Sequence, residues 1–255
     1  MPGRHQGQVV IITGGGNGIG AATAAAVVRE GGSVVLGDVV VHAAQARAAE
    51  LGERALAVRL DVADAQSWAD CVSQTLGKFS RIDGLVNNAG IASGHSLVDT
   101  DADDMAKVMS VNLVGPLLGI KAVLGTMRAA NAGSIVNISS CGGLAGLRSN
   151  VAYSTSKYAI RGLTKTLVHE LGGFGIRINS VFPGYVDTPL SRPDWDDQSA
   201  AGQQKANVAL GRTGHPRELA EVISFLLSDN ASYCTGSEFV ADGGLMSVVP
   251  PRDLD

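Results

Sequence analysis

Short apolar segments alternate with longer, alanine-rich amphipathic segments along almost the whole chain. The strand candidates are VVIIT (9–13), SVVLGD (33–38), RALAVRLD (54–61), IDGLVNNAG (82–90), SIVNISS (134–140), IRINSVFPG (176–184) and EFVADGG (238–244). These runs are hydrophobic on both faces, as parallel strands covered by helices must be, and the segments between them have the length of βαβ crossovers. The pattern therefore predicts a doubly wound parallel sheet of about seven strands, with helices on both faces.

The chain is predicted to form a single α/β domain of the Rossmann type over residues 1–255. Its 255 residues are enough for one domain with a large core, and its 33 glycines are spread throughout, which is typical of a globular fold with many tight turns. No repeat or interdomain linker interrupts the pattern. The least regular segment, residues 185–204, is long for a simple connection, so we expect a substrate-binding loop there.

Charge and cysteine content narrow the choice of partners and compartment. A net charge of -4 and a pI near 5.7 provide no basic field, which disfavours nucleic acid and anionic membranes as partners. Three widely spaced cysteines without a CxxC pair disfavour a disulfide framework or a zinc site. The start of the chain has no apolar run of signal-peptide length, and no segment reaches the roughly 18 apolar residues of a membrane span. We therefore expect a cytoplasmic protein with reduced thiols.

A glycine-rich turn, TGGGNGIG (13–20), follows the first predicted strand and leads into an alanine-rich helix pattern. The turn does not match GxGxxG in any register, but Gly14, Gly18 and Gly20 still fit a tight strand-to-helix connection. Such a turn directs backbone N–H groups and a helix N-terminus toward a pyrophosphate. A turn with no ligand would also account for the glycines, so the inference depends on the residues that accompany it.

Carboxylates and amides follow the next three strands. Asp38 ends the second strand, 18 residues after Gly20, where a carboxylate can accept hydrogen bonds from an adenosine ribose. Asp61 ends the third strand, where it can meet an adenine edge or serve as a turn aspartate. Asn87 and Asn88 end the fourth strand, and Asn87 suits structural bracing at least as well as ligand contact.

The segment NVAYSTSKYAI (150–160) contains two tyrosines and one lysine at the start of a predicted helix, which Asn150 can cap and Gly172 ends. Tyr153 and Lys157 are four residues apart and share a helix face, whereas Tyr158 points away and is expected to pack. A tyrosine that acts as a base at neutral pH must have its pKa lowered by about three units, or roughly 4 kcal/mol. An interaction between two exposed side chains four residues apart on one helix supplies only about 0.3 to 0.5 kcal/mol. The pair therefore makes chemical sense only inside a cleft.

Five motifs, TGGGNGIG, NNAG, SIVNISS, YSTSK and PGYVDT, together resemble the short-chain dehydrogenase/reductase family over nearly the full chain. The resemblance implies that Tyr153 is the catalytic acid/base, that Lys157 lowers its pKa and holds the nicotinamide ribose, and that Ser140 donates to the substrate oxygen. It also implies that Asn112 helps to order a proton-relay water, although spacing alone suggests a helix-packing residue. Ser139 is the competing serine, but the thirteen-residue interval to Tyr153 favours Ser140.

The resemblance also implies a cofactor site, and Asp38 favours NAD as the cofactor. Within that site Pro183, Gly184 and Thr188 match the family segment beside the nicotinamide amide, with Val186 as a backbone contact. The predicted cofactor contacts are Gly14, Asn17, Gly18, Ile19, Asp38, Asp61, Val62, Asn88, Tyr153, Lys157, Pro183, Gly184, Val186 and Thr188. Family resemblance further implies a homotetramer, with helices around residues 103–128 and 152–172 at one interface and the strand near residue 240 at another.

These features lead to the hypothesis of reversible, NAD-linked oxidation of a secondary alcohol to a ketone. Leucines and few fixed charges in residues 91–97, 141–149 and 185–204 favour a largely apolar, cyclic or steroid-like substrate. One alternative is a 3-oxoacyl-carrier-protein reductase, and another is a non-catalytic dinucleotide-binding regulator. We predict no metal site, because His95 and His169 have no partners at ligand spacing.

Overall fold

Seven parallel strands form one sheet in the computed structural model, which describes residues 3–191 and 206–247. The strands are β1 Val9–Thr13, β2 Ser33–Asp38, β3 Ala55–Arg59, β4 Gly84–Asn87, β5 Gly133–Ile138, β6 Ile176–Pro183 and β7 Glu238–Ala241. Their order is β3-β2-β1-β4-β5-β6-β7, and every neighbouring pair is parallel. The predicted sheet is confirmed.

Helices cover both faces of this sheet. They are α1 Gly18–Arg29, α2 Val41–Leu51, α3 Ala65–Phe79, α4 Ala102–Met109, α5 Gly115–Ala130, α6 Val151–Gly172 and α7 Pro216–Leu227, with a π-helical turn at Ser110–Val114 between α4 and α5. Val27 of α1 and Ile223 of α7 belong to the core on one face, and Trp68 of α3 and Val123 of α5 belong to the core on the other. The strands are buried on both sides because apolar helix faces pack against each side of the sheet.

The strand order reverses between β1 and β4. From β1 the chain continues outward to β2 and β3, and after β4 it continues outward in the opposite direction to β5, β6 and β7. In open parallel sheets a crevice forms beyond the carboxyl ends of the strands at such a point, because the connections diverge to opposite faces. The fold therefore fixes where the predicted site segments must meet.

Several strands end earlier than their apolar patterns suggest. The third predicted strand extends to Asp61, but β3 ends at Arg59, and the fourth extends to Gly90, but β4 ends at Asn87. At these carboxyl ends the predicted segment continues for two or three residues after the strand's backbone hydrogen bonds end. The residues that continue the pattern beyond the ladder line the crevice described below.

One helical run is long and apolar enough to cross a membrane by length and composition alone. It spans Ala102–Ala130, and its most apolar 18-residue window has a mean hydropathy of 1.6. The expectation that no segment of membrane length exists is therefore wrong. Within this fold the run includes α5, which packs on β4, β5 and α3, and 39% of the window is buried. Packing against the sheet accounts for its apolar composition.

Candidate active site

A cleft of about 1220 Å³ lies at the carboxyl ends of the strands and contains nearly all of the predicted site. Every predicted catalytic or cofactor residue except Asn112 lines it. This volume exceeds the roughly 300 to 1,000 Å³ of a typical single-ligand pocket. The cleft therefore has room for two ligands side by side, as a hydride-transfer reaction requires.

The glycine-rich turn forms one end of the cleft, and side chains would not fit at several of its glycines. Gly14 and Gly18 have φ angles of +63° and +54°, a region that favours glycine. A Cβ at Gly14 would lie 2.9 Å from the Asn88 amide nitrogen, and one at Gly20 would lie 2.3 Å from the Gly14 carbonyl oxygen. The turn is thus packed tightly beneath an open surface, and this arrangement fits a bound pyrophosphate.

Asp38 faces this turn from the end of β2. Its Oδ2 accepts a hydrogen bond from the Gly16 N–H at 3.0 Å, and its Oδ1 accepts one from the Val40 N–H at 3.0 Å. A carboxylate has about four acceptor positions, so these bonds leave others directed to the cleft that Asp38 lines. The carboxylate both braces the turn and remains available to a ribose hydroxyl.

Asp61 and Val62 line the cleft beyond β3. Asp61 Oδ1 accepts from the Ala63 N–H at 3.0 Å, which is the turn role that we considered as the alternative to ligand contact. Val62 is 8% exposed, and its carbonyl accepts from the Trp68 indole at 3.0 Å. Both positions are therefore fixed by local hydrogen bonds while their outer surfaces meet the cleft.

The two asparagines after β4 have different roles. Asn88 lines the cleft, and its amide donates to the carbonyls of Thr13 at 2.9 Å and Gly14 at 3.2 Å. Asn87 is 4% exposed and donates to Asn137 Oδ1 of β5 at 2.8 Å. Asn88 therefore fixes the glycine-rich turn against β4, and the bracing role considered for Asn87 is confirmed.

Tyr153, Lys157 and Ser140 meet in the middle of the cleft. The Lys157 side chain is buried, its Nζ donates to the Ile138 carbonyl at 3.0 Å, and it lies 5.5 Å from the centroid of the Tyr153 ring. The Ser140 hydroxyl accepts from the Gly142 N–H at 3.1 Å and lies within reach of the Tyr153 phenol. Strand β5 and helix α6 thus bring together a phenol, an ammonium and a hydroxyl.

Ser139 is directed differently from Ser140. Its hydroxyl donates to the main-chain carbonyl of Lys157 at 2.9 Å, and its N–H donates to the Val181 carbonyl at 2.8 Å. Ser139 therefore ties β5 to helix α6 beneath the site. This arrangement supports Ser140 as the serine that faces a substrate.

Desolvation dominates the ionisation of the central pair. Burial raises the pKa of Tyr153 to about 12, although the nearby Ser140 hydroxyl lowers it in part. Burial also lowers the pKa of Lys157 to about 8. The direction of the pKa shift of Tyr153 is opposite to the lowering that was expected from Lys157, because desolvation of the phenol dominates in the protein alone.

Asn112 does not line the cleft but braces it from behind. It is 2% exposed within the π-helical turn, and its Oδ1 accepts from the Ile91 N–H at 2.9 Å. Its amide donates to the Ile91 carbonyl and to the Ser156 hydroxyl, each at 2.9 Å. The side chain therefore holds the segment after β4 against α6, which agrees with the packing role suggested by spacing.

Two details at the start of α6 differ from expectation. Asn150 occupies the cap position but makes no capping hydrogen bond, and its amide nitrogen donates to the Arg148 carbonyl at 3.2 Å. Tyr158 points away from the cleft as predicted, yet it is 42% exposed rather than packed in the core. Helix α6 ends at Gly172, as predicted.

The segment after β6 reaches back to the glycine-rich turn. A Cβ at Gly18 would lie 3.2 Å from Thr188 Cγ2, and a Cβ at Gly184 would meet Asp242 at 2.8 Å. Val186 is buried and forms an isolated bridge with Gly214. Residues 183–188 are therefore held close to the turn across the cleft, while 192–204 of the predicted loop lie outside the described residues.

Other cleft residues lay outside the predicted contacts. Cys141 follows Ser140 directly, and burial raises the pKa of its thiol. Val111 precedes Asn112 in the π-helical turn, and Lys107 lies on α4, four residues before Val111. Arg148 lies in a segment expected to form the pocket. The family motifs contain no signal for Lys107, because α4 reaches the cleft only through tertiary packing.

The histidines provide no metal centre within the described chain. His95 Nδ1 lies 3.4 Å from Asp104 Oδ2, so the expectation that His95 stands alone is wrong. His169 is exposed on α6. Between residues 3 and 191 and between 206 and 247, no three His, Cys, Asp or Glu side chains cluster as metal ligands would.

Comparison with known proteins identifies the family of the chain. A family model described as enoyl-(acyl carrier protein) reductase matches residues 14–246. The chain belongs to this family and is a member of the short-chain dehydrogenases/reductases, and its named relatives are enzymes that act on CH–OH groups.

Three named relatives illustrate the similarity. The chain is 41% identical over 254 residues to a 3-alpha-(or 20-beta)-hydroxysteroid dehydrogenase of Mycobacterium tuberculosis, covering 100% of this chain and 95% of the relative. It is 38% identical to a cyclopentanol dehydrogenase of Comamonas testosteroni, covering 95% and 98%. It is 37% identical to a trans-4-hydroxycyclohexanecarboxylate dehydrogenase of Sinomonas cyclohexanicum, covering 93% and 92%.

Solved structures share the whole fold. Levodione reductase superposes with a TM-score of 0.92 at 35% identity, covering 96% of this chain and 100% of that one. A short-chain type dehydrogenase/reductase from Mycobacterium marinum superposes with a TM-score of 0.90 at 32% identity, covering 95% and 97%.

Proposed function

We propose that the protein is an NAD-dependent dehydrogenase that interconverts a cyclic secondary alcohol and its ketone. The observation that carries the proposal is the meeting of Tyr153, Lys157 and Ser140 in one cleft with the glycine-rich turn and Asp38. Enzymes that act on hydroxysteroids, cyclopentanol and a hydroxylated cyclohexane are among its relatives. The site and these relatives support the same reaction class.

The residues divide the proton chemistry between them. Tyr153 takes the hydroxyl proton during oxidation and returns it during reduction, while the Ser140 hydroxyl donates to the substrate oxygen. Lys157 supplies a positive charge in partly desolvated surroundings, where charge interactions are stronger than in water. Nicotinamide bound in this cleft would supply the acceptor or donor of the hydride. We assign Asn112 to ordering a relay water, through the segment that its side chain braces.

The dinucleotide would extend from the glycine-rich turn to the segment after β6. Gly14, Asn17, Gly18 and Ile19 suit the pyrophosphate end, and Asp38, Asp61, Val62 and Asn88 suit the adenosine side. Pro183, Gly184, Val186 and Thr188 suit the nicotinamide side, together with Tyr153 and Lys157. The Asp38 carboxylate supports NAD, because it would repel the 2′-phosphate of NADP.

Apolar residues that face outward support a proposal for the quaternary structure. Val114 is 41% exposed and Leu117 is 37% exposed on the helical run that includes α5, and Tyr158 is 42% exposed on α6. Val240 is 49% exposed on the edge strand β7. These positions support the proposed homotetramer, with the helices at one interface and the strand at another. A cytoplasmic location remains a prediction from the sequence.

A screen of carbonyl substrates tests the proposal. Purified protein with NADH should reduce cyclic or steroidal ketones faster than a β-keto thioester, and Tyr153→Phe should abolish the activity. A preference for the thioester would instead support the acyl-carrier-protein reductase. Binding of NADH without turnover of any ketone would favour the regulator, an alternative that the complete set of catalytic residues disfavours.

A further inference from the structure

We propose that the ring alcohol carries a carboxylate, or a similar small anion, and that Lys107 and Arg148 at the cleft recognise it. This inference rests on the proposed function, because it names the substrate class of the same site. Neither residue belongs to the predicted set of catalytic and cofactor contacts. Both line the cleft together with Tyr153.

The charges of the cleft are distributed unevenly. Its described lining contains Asp38 and Asp61 at the end where the dinucleotide is proposed, and Lys157 at the centre. The remaining charged residues of that lining are Lys107 and Arg148, which are both cationic. The substrate part of the cleft therefore presents positive charge and no carboxylate among the described residues.

Neither cation is neutralised within the part of the chain that the structure describes. No ion pair or side-chain hydrogen bond is formed by the Lys107 ammonium or the Arg148 guanidinium there. Some other arginines of this protein do pair, for example Arg161 with Glu238 at 2.9 Å and Arg212 with Glu218 at 2.7 Å. An anionic ligand would supply the partner that the protein does not.

The backbones that carry the two side chains are held in place. The Leu147 N–H donates to the Ser154 hydroxyl at 3.2 Å, and the Asn150 amide donates to the Arg148 carbonyl at 3.2 Å. Ser149 has a φ of 55°, a conformation unusual for a residue other than glycine. Lys107 lies within α4, Val111 lies four residues later in the π-helical turn, and both line the cleft.

The wall near these cations is apolar. Ile91, Val111 and Leu147 all line the cleft and provide hydrocarbon surface for a ring. A substrate with an apolar ring and a distal carboxylate matches this combination of an apolar wall and two cations. Lys107 and Arg148 are exposed, so solvent screens their charge. We therefore expect kcat/KM to favour an anionic substrate over its neutral analogue by about tenfold, and we expect this preference to weaken as salt is added.

A matched substrate pair tests the inference. NAD-linked oxidation of 4-hydroxycyclohexanecarboxylate and of its neutral carboxamide would be compared at low salt and at about 0.5 M NaCl. We expect kcat/KM to favour the carboxylate by about tenfold at low salt, with the preference falling toward unity at high salt. Arg148→Gln and Lys107→Gln should each reduce this ratio at low salt.

The control variant is Arg217→Gln. Arg217 is exposed on α7, does not line the cleft and forms no ion pair within the described residues, so its loss should leave the ratio unchanged. If Arg217→Gln lowers the carboxylate-to-carboxamide ratio of kcat/KM as much as Arg148→Gln and Lys107→Gln do, the effect is one of net charge, and the assignment is overturned. A preference for an acyl-carrier thioester over both ring alcohols would also overturn it.

Calorimetric titration with cyclohexanecarboxylate and cyclohexanecarboxamide in the presence of NADH provides a readout independent of turnover. If both alcohols are oxidised equally and both probes bind equally, the inference fails and the proposed function stands. If neither alcohol reacts but the carboxylate binds more tightly, and Arg148→Gln removes the difference, the inference stands and the proposed reaction fails. If neither alcohol reacts and neither probe binds, both are overturned.

Discussion

The Lys157 ammonium lies 5.5 Å from the centroid of the Tyr153 ring, and it donates a hydrogen bond to the Ile138 carbonyl at 3.0 Å. The lysine is therefore anchored to β5, and we propose that it acts through its positive charge during the reaction. Burial lowers the pKa of Lys157 to about 8 and raises that of Tyr153 to about 12. Both groups are thus costly to ionise here, which is typical of a site that uses them for chemistry.

The first prediction concerns the phenol itself. Tyr153→Phe should lower kcat by more than about tenfold, or at least 1.4 kcal/mol, because it removes the phenol that we propose to exchange the proton. NADH binding, followed by fluorescence titration, should remain nearly intact. The control is Tyr158→Phe, which changes an exposed tyrosine on the same helix and should be nearly silent. A Tyr153→Phe variant with more than a tenth of the normal kcat would remove Tyr153 from the acid/base role.

The second prediction concerns how the loss of activity caused by removing Lys157 changes with pH. Because the pKa of Lys157 is lowered to about 8, its positive charge is present below that pH and is lost above it. Lys157→Met should therefore reduce alcohol oxidation most strongly below pH 8, and its deficit relative to the natural enzyme should shrink as the pH rises. Rate profiles of both proteins, measured from neutral to alkaline pH, give the comparison.

Two outcomes would count against this role for Lys157. A deficit that is constant over the whole pH range would show that the lysine acts other than through its titrating charge. A loss of stability with unchanged kinetics in the folded fraction would make it a structural residue. Lys157→Arg keeps a positive charge in this place, so it should retain more activity than Lys157→Met at neutral pH.

The sequence predicted the sheet more fully than it predicted the site. The apolar runs at 9–13 and 33–38 coincide with β1 and β2, because strands buried on both faces leave a continuous hydrophobic signal. The five family motifs contain about half of the residues that line the cleft. The spacing of residues along the sequence could not show that Lys107 lines the cleft, because it reaches the cleft through the packing of α4 against α6. Nor could it reveal that burial raises the pKa of Tyr153 and lowers that of Lys157, because burial depends on the assembled fold.

The third prediction concerns stability and a histidine distant from the cleft. His5 is 0% exposed, and its ring nitrogens contact Gln8 Oε1 and Ser224 Oγ, each at 2.8 Å. Burial lowers its pKa below the usual 6.5, so the folded state binds the proton less readily than the unfolded chain. The stabilisation from neutral His5 is therefore present above pH 6.5 and is lost as the pH falls toward the lowered value.

Urea unfolding of the natural protein and of His5→Gln tests this sign. The variant should be less stable by about 1 to 3 kcal/mol above neutral pH, because it leaves a buried hydrogen-bonding partner unsatisfied. The difference between the two proteins should narrow below pH 6, since only the natural protein pays to keep a histidine neutral there. His169→Gln, at an exposed position, is the control and should show no such trend. A difference that widens on acidification would contradict the prediction.

The fourth prediction concerns Asp38 and the choice of cofactor. The 2′-phosphate of NADP carries about -1.5 to -2 charges, and two unit charges about 4 Å apart repel by roughly 4 kcal/mol at an effective dielectric of 20. Screening should leave about half, so kcat/KM should favour NAD by about 30-fold, or roughly 2 kcal/mol. No basic side chain lines this end of the described cleft, and the nearby Arg47 pairs with Glu50 at 2.7 Å.

Asp38→Asn removes the charge but keeps an acceptor for the Gly16 or Val40 N–H, so it should narrow the preference for NAD over NADP without loss of the fold. Equal use of both cofactors by the natural enzyme at ordinary salt would refute this role for Asp38 and leave the roles of Tyr153 and Lys157 untouched.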